Sequence, residues 1–182
     1  MGELALITAK HPAAFAEGPS HEMFVESRFS CTIAATLSHR GTILRRPEWK
    51  TIPWSNKTKG PKDFLVDIFV ELPYLLERFD AVIDCTDLPF RMILAKGCLE
   101  YAIGCERSLV KWLETAAPRG WGIKGCRLAF GDATPADIRD AHSMCLFWTT
   151  YSQVLTTIQC LLPLIGSLKA EARNARISTD SF

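Results

Sequence analysis

Gly120-Trp121-Gly122-Ile123-Lys124-Gly125 matches the dinucleotide-binding pattern GxGxxG letter for letter. That pattern holds a pyrophosphate only where a strand leads into the loop and a helix leaves it, so that the phosphates meet a helix N-terminus. Here a helical pattern leads in and a short extended piece at Cys126 to Phe130 leads out, so no cofactor is expected. Seven cysteines, Cys31, Cys85, Cys98, Cys105, Cys126, Cys145 and Cys160, offer thiolates for metal or nucleophilic chemistry. No CxxC or CxxxC pair occurs among them. Cys98 and Cys105 stand two turns apart on one helix face, about 10 Å along its axis, too far to share a zinc ion whose sulfur ligands lie about 2.3 Å from the metal. No metal is expected either.

Asp84-Cys85-Thr86-Asp87 sets a thiol between carboxylates, which would raise its pKa and disarm it as a nucleophile. The four histidines, His11, His21, His39 and His142, show no HExxH spacing and no local catalytic signature. An enzyme would need some of His39, Cys85, Asp87 and His142 to converge in one cleft with perturbed pKa values. The sequence arranges no such cluster, and no catalytic residue is expected.

One passage does combine distinctive residue types. Arg45, Arg46, Lys50, Lys57, Lys59 and Lys62 surround Trp49 and Trp54, against a single Glu48. The mixture suits single-stranded nucleic acid by charge and stacking, or a loop whose tryptophans pack inward while its lysines point out. The second reading is preferred. It makes Trp49, Pro53 and Trp54 a rigid structural clasp between two helical patterns.

Four such patterns position these residues. The first runs from about His21 to Arg40, with Val25, Phe29, Ile33 and Leu37 on one face, Ser20 as cap and Gly41 as stop. The second, Lys62 to Ile83, keeps Leu65, Ile68, Phe69, Leu72, Leu76, Phe79 and Ile83 in one stripe with Asp63, Asp67 and Glu71 opposite, and Pro73 predicts a kink or break near Leu72. A third starts at Asp87 and reaches about Thr115, burying Leu94, Cys98, Tyr101, Cys105, Leu109 and Trp112, with Pro118 and Gly120 ending it. Thr134-Pro135-Ala136-Asp137 opens the fourth, which continues through Pro163 to Ile165. The expectation is an all-α single domain over 1–182, an irregular array of about four to six helices with at most a very short extended piece near 126–130.

A formal net charge of +1 gives no global field toward DNA or anionic lipid. Met144 to Gly166 has no charged residue, but its threonines, serine and glutamines make it too polar for insertion, so no membrane is expected. Scattered cysteines in odd number suggest reduced thiols inside a cell.

The succession Gly2 to Ala9, Gly18-Pro19-Ser20-His21-Glu22-Met23-Phe24, Pro47-Glu48-Trp49-Lys50-Thr51-Ile52-Pro53-Trp54-Ser55, then Asp63 to Ile68 with Leu72 to Leu76, resembles the regulatory domain of fungal zinc binuclear cluster transcription factors. Ala141-His142 with Leu146 to Thr150 is similar to a later helix of that family, so the likeness spans most of residues 1 to 160. The resemblance implies an all-helical regulatory domain in the nucleus. It also implies no catalytic residues, and action through protein partners, a homodimer or a small-molecule effector. The six-cysteine zinc cluster that reads DNA, its basic linker and its coiled coil are not in this sequence, so no direct DNA binding by this chain is expected. On that reading the chain is a truncated member, a fragment or a stand-alone regulatory domain, prone to self-association. A small helical intracellular enzyme, or a ligand-binding protein with an unrecognised site, is the alternative.

Overall fold

Proline chemistry sets the helix starts in the computed structural model, which describes residues 2–117 and 134–179. After α1 (Gly2–Thr8), each α-helix begins with a proline in its first turn: α2 (Gly18–Leu37), α3 (Pro47–Thr51), α4 (Pro61–Phe69), α5 (Leu72–Asp84), α6 (Leu88–Thr115) and α7 (Pro135–Thr179). A proline there loses nothing, because the first N–H groups have no partner within the helix and its fixed φ suits the helix. Single 3-10 turns at Pro12–Phe15, Ile43–Arg45 and Ile52–Trp54 fill the joints. The architecture is all-α, and no strand occurs among the described residues. The extended piece expected at Cys126 to Phe130, the glycine pattern at Gly120 to Gly125, and the Pro118 and Gly120 stop lie outside them.

Capping follows the letters in two places. Asp87 Oδ1 accepts from the Phe90 N–H at 2.7 Å and starts α6. At α7, Asp137 Oδ2 accepts from the Thr134 N–H at 2.8 Å while Thr134 Oγ1 accepts from the Asp137 N–H at 3.3 Å, a reciprocal box. Bonds from Thr134 hold the Asp137 carboxyl below its ordinary pKa. Pro73 breaks the second pattern into α4 and α5, as its place in the stripe predicts. Along α6, Cys98, Cys105, Leu109 and Trp112 are buried with Ala95 and Ala102. The last helix doubles back along it, Trp112 stacking on Phe147 with centroids 5.6 Å apart.

Two helices differ from expectation. In α2 the chain enters the helix at Gly18, and Ser20 does not cap it. Ser20 Oγ instead donates to the carbonyls of Ala14 and Glu17, at 3.0 and 2.8 Å, tying α2 to the 3-10 turn before it. The helix ends at Leu37, and His39 takes the left-handed conformation (φ 49°) expected of glycine. Gly41 serves a different need, since a Cβ there would lie 3.3 Å from Tyr74 Cβ and 2.9 Å from Glu77 Oε2. The buried face is also rotated: His21, Phe24, Arg28, Cys31, Thr32 and Ala35 point inward, Ile33 is exposed and Leu37 is 82 % exposed. Apolar spacing missed this because three inward residues are polar and find partners inside, although Arg28 Nε has none. His21 Nδ1 donates to the Phe15 carbonyl at 3.0 Å, Thr32 Oγ1 donates to the Arg28 carbonyl at 2.7 Å, and Arg28 meets Asp67. The other difference is α7, which runs past Ile165 to Thr179. Pro163 removes one backbone donor, but Leu161, Ile165 and Leu168 on either side of it are buried and hold the helix through that point.

Candidate functional site

The clasp residues come to the core on two short turns. Trp49 sits on α3 and Trp54 on the 3-10 turn that follows, with Pro53 between, and all three are buried. Phe24 from α2 lies between the two indoles, 5.8 Å from Trp49 and 5.6 Å from Trp54 by centroid. Phe15 closes one side, 5.2 Å from Phe24 and 6.0 Å from Trp49, and His21 meets the Trp54 ring edge-on at 5.6 Å. Offset and edge-on arrangements of this kind are favoured by the ring quadrupoles. With both indoles buried, neither offers a stacking face to a nucleobase.

Around Trp54 the charges gather. Arg28, 1 % exposed, donates through Nη2 to Asp67 Oδ1, and its guanidinium lies 4.8 Å from the Trp54 centroid. Lys59 donates to Asp67 Oδ2 and sits 4.5 Å from the same indole. Two cations thus share one carboxylate and one aromatic ring. Burial pushes the Arg28 guanidinium below its ordinary pKa, and the Asp67 charge and hydrogen bond oppose that shift. One turn on, Glu71 repeats the arrangement: Lys50 donates to its Oε1 and the Tyr101 hydroxyl to its Oε2. Burial first, and then the Glu71 hydrogen bond and charge, raise the Tyr101 phenol above its usual pKa. Cys105 nearby is pushed up to about 12, by burial first and Glu71 next.

These groups line a cleft of about 650 Å³ whose walls include Arg45, Lys50, Asp67, Glu71, Tyr101 and Cys105. The loop lysines were expected to point out, and Lys57 and Lys62 do. Lys50 and Lys59 instead turn onto the half-buried carboxylates opposite the apolar stripe, the side chain of Lys59 being only 12 % exposed. The reason is mutual: each carboxylate neutralises a cation that the clasp brings over it. Near neutral pH the thiol and phenol of this cleft stay protonated, so it offers neither a thiolate nor a phenolate.

The other candidate residues sit apart in local pairs. His39 Nδ1 lies 2.7 Å from Asp80 Oδ2, Cys85 Sγ donates to the Asp87 carbonyl at 3.6 Å, and His142 meets the Phe29 ring edge-on at 5.4 Å. Cys98 and Cys105 are both buried on α6. No group of three or more potential metal ligands occurs among the described residues. None of their helices is long and apolar enough to cross a membrane.

A second concavity, of about 1060 Å³, lies between α1, α2 and the chain at 40–43. Sequence reasoning missed it. The available signal was the run of small residues Ser30, Ala34 and Ser38 at four-residue spacing, one turn apart on α2, which leaves a furrow where larger side chains would fill the space. Comparison with known proteins gave no match to a family model, to a curated protein or to a solved structure.

Proposed function

We propose that this chain is a regulatory domain of the fungal zinc binuclear cluster type, working in the nucleus through protein partners or a sensed small molecule and leaving DNA readout to other modules. One observation carries the reading: the separate segments that bear the resemblance meet in a single packed unit. Phe24 from the Gly18 to Phe24 segment lies between Trp49 and Trp54 of the Pro47 to Ser55 segment. Asp67 of the Asp63 to Ile68 segment receives Lys59 and Arg28, the two cations on the Trp54 ring. Their order and spacing are therefore demanded together by one piece of architecture, as expected for a shared domain and not for unrelated short matches. The near-neutral overall charge agrees with contacts to proteins rather than to phosphates.

Tethering the 182-residue chain to an unrelated DNA-binding domain in a fungal reporter strain tests this. Reporter output should move several-fold in one direction, and Trp54→Ala, which empties the centre of the clasp, should abolish the effect. An unmoved reporter with a stably accumulating fusion overturns the reading.

A further inference from the structure

We infer that the outward face of α7 pairs with the same face of a second copy of this chain, the two helices running antiparallel. Trp148, Leu155 and Leu162 recur every seven residues on that face, and Cys145, Ser152 and Gln159 fill the places between them at alternating steps of three and four. This is the spacing of a helix that packs along the length of another. Trp148 is 43 % exposed and Leu162 56 %, Leu155 is half-buried, and the three smaller or polar side chains are exposed. The opposite face carries Phe147, Val154, Leu161 and Ile165 into the core beside α6. The seam is therefore a second packing face of the same helix, one that no described element covers.

The charges of α7 say what covers it. Between Asp140 and Lys169 the helix has no Asp, Glu, Lys or Arg, although a face turned to water ordinarily carries them. Asp137 and Asp140 stand at the N-terminal end of the seam, Lys169 and Arg173 at its C-terminal end, while Arg139 and Glu171 lie on the far side of the helix by its 3.6-residue period. None of these four flanking charges forms an ion pair among the described residues. Asp140 and Lys169 are about 44 Å apart along one helix and cannot meet within a chain. An antiparallel second copy lays the acidic end of each α7 on the basic end of the other, whereas a parallel copy would set like charge on like. The same antiparallel placement sets Ser152 against the partner's Leu155 and Gln159 against the partner's Trp148, so that large side chains meet smaller or flexible ones along the seam. The pairing does not rest on a role in transcription: a chain that dimerises through α7 while the tethered reporter stays unmoved would sink the regulatory reading alone.

Sedimentation equilibrium of the whole chain, kept reduced because Cys145 and Cys160 are exposed, should show a discrete monomer–dimer equilibrium. Leu162→Glu puts a carboxylate into the seam from an exposed position and should weaken the dimer at least about tenfold at unchanged helicity. Ser152→Glu should do the same and serves if the first variant does not fold. Lys169→Glu with Arg173→Glu makes both ends of α7 acidic and should weaken the dimer about tenfold, and adding Asp140→Lys should recover at least about threefold of that loss. That recovery is the signature of antiparallel ends, since a seam that is merely sticky would not respond to it. A parent that stays monomeric up to about 100 µM, or that forms aggregates of no fixed size, would overturn the proposal. So would a dimer that both seam variants leave intact, or a charge reversal that Asp140→Lys does not relieve.

Discussion

The two concave regions of this molecule are built on opposite plans. In the cleft beside α3, the half-buried carboxylates Asp67 and Glu71 each face two donors, and the cations that pair with Asp67 also rest on an indole. In the cavity between α1 and α2 the charges are balanced, the side chains are small and one hydroxyl has no partner. Paired carboxylates and cations fix one geometry, although Arg28 Nε stays buried there without a partner, whereas the wall between α1 and α2 is mainly apolar and holds one unpaired hydroxyl. The first region therefore reads as architecture. Substitutions that break one plan should have effects of different size, and at the hydroxyls of different sign, from those that break the other.

The largest effect should follow Trp54→Ala. The indole packs on Phe24 and His21 and also seats two cations, so its removal should cost about 5 kcal/mol, the upper end for emptying a large aromatic site. A urea midpoint that barely moves would mean that the clasp is not structural. Asp67→Ala should come next, at about 4 kcal/mol, because it leaves Arg28 buried without its counter-charge. Replacing the pair together, Arg28→Met with Asp67→Leu, should cost less than Asp67→Ala alone, since one of the two cations on Asp67 leaves with it and only Lys59 is left unpaired. A double variant as damaged as the sum of its singles would contradict this account of the cluster.

Those two predictions concern features of unequal legibility. The prolines and two of the caps were readable because the requirement they meet is local: Pro73 can only start a helix or break one, and Asp87 or Thr134 with Asp137 need partners three residues away, whereas the cap expected at Ser20 was not formed. Most of the α6 seam was readable from its period, Cys98, Cys105, Leu109 and Trp112 being buried, while Leu94 and Tyr101 are only half-buried. The ionic cluster was not, because Asp67 meets Arg28 across 39 residues and Glu71 meets Lys50 across 21, and a carboxylate opposite an apolar stripe has the same letters whether it is solvated or buried. The inward face of α2 was hidden for the same reason. The cavity was least legible, since small residues on a helix face write an absence of side chain and do not say what stands opposite.

Alkaline pH should loosen the clasp side next. Burial pushes Cys98 up to about 11 and Cys105 up to about 12, against an ordinary 9.0. The fold therefore holds these protons more tightly than the unfolded chain does. The stability they contribute is full below about pH 9 and is lost as pH rises from there through the folded values, at about 1.4 kcal/mol per unit for each thiol. By pH 10 the two together should remove about 3 kcal/mol. Urea midpoints measured from pH 8 to 10 should fall accordingly, and a Cys98→Ala, Cys105→Ala variant should show a shallower fall. A parent whose stability is flat over this range would refute the burial of these thiols.

The smallest effect is also the sharpest comparison between the two regions, because it sets one hydroxyl against another. Tyr101 donates to a carboxylate that already holds Lys50, and a hydrogen bond to a charged acceptor contributes about 1.5–3 kcal/mol. Tyr101→Phe keeps the ring against Tyr74, 5.2 Å away by centroid, and removes only that bond. With Lys50 still compensating Glu71, the loss should sit at the low end, about 1.5 kcal/mol. Thr42→Val also deletes a buried hydroxyl, but one with nothing to bond, so it should move stability the other way. Equilibrium urea unfolding of the two variants beside the parent tests both at once. Opposite shifts of the midpoint support the distinction between a bonded hydroxyl and an unbonded one. Two shifts of the same sign would erase it, because Thr42 would then be bonded within the fold like Tyr101.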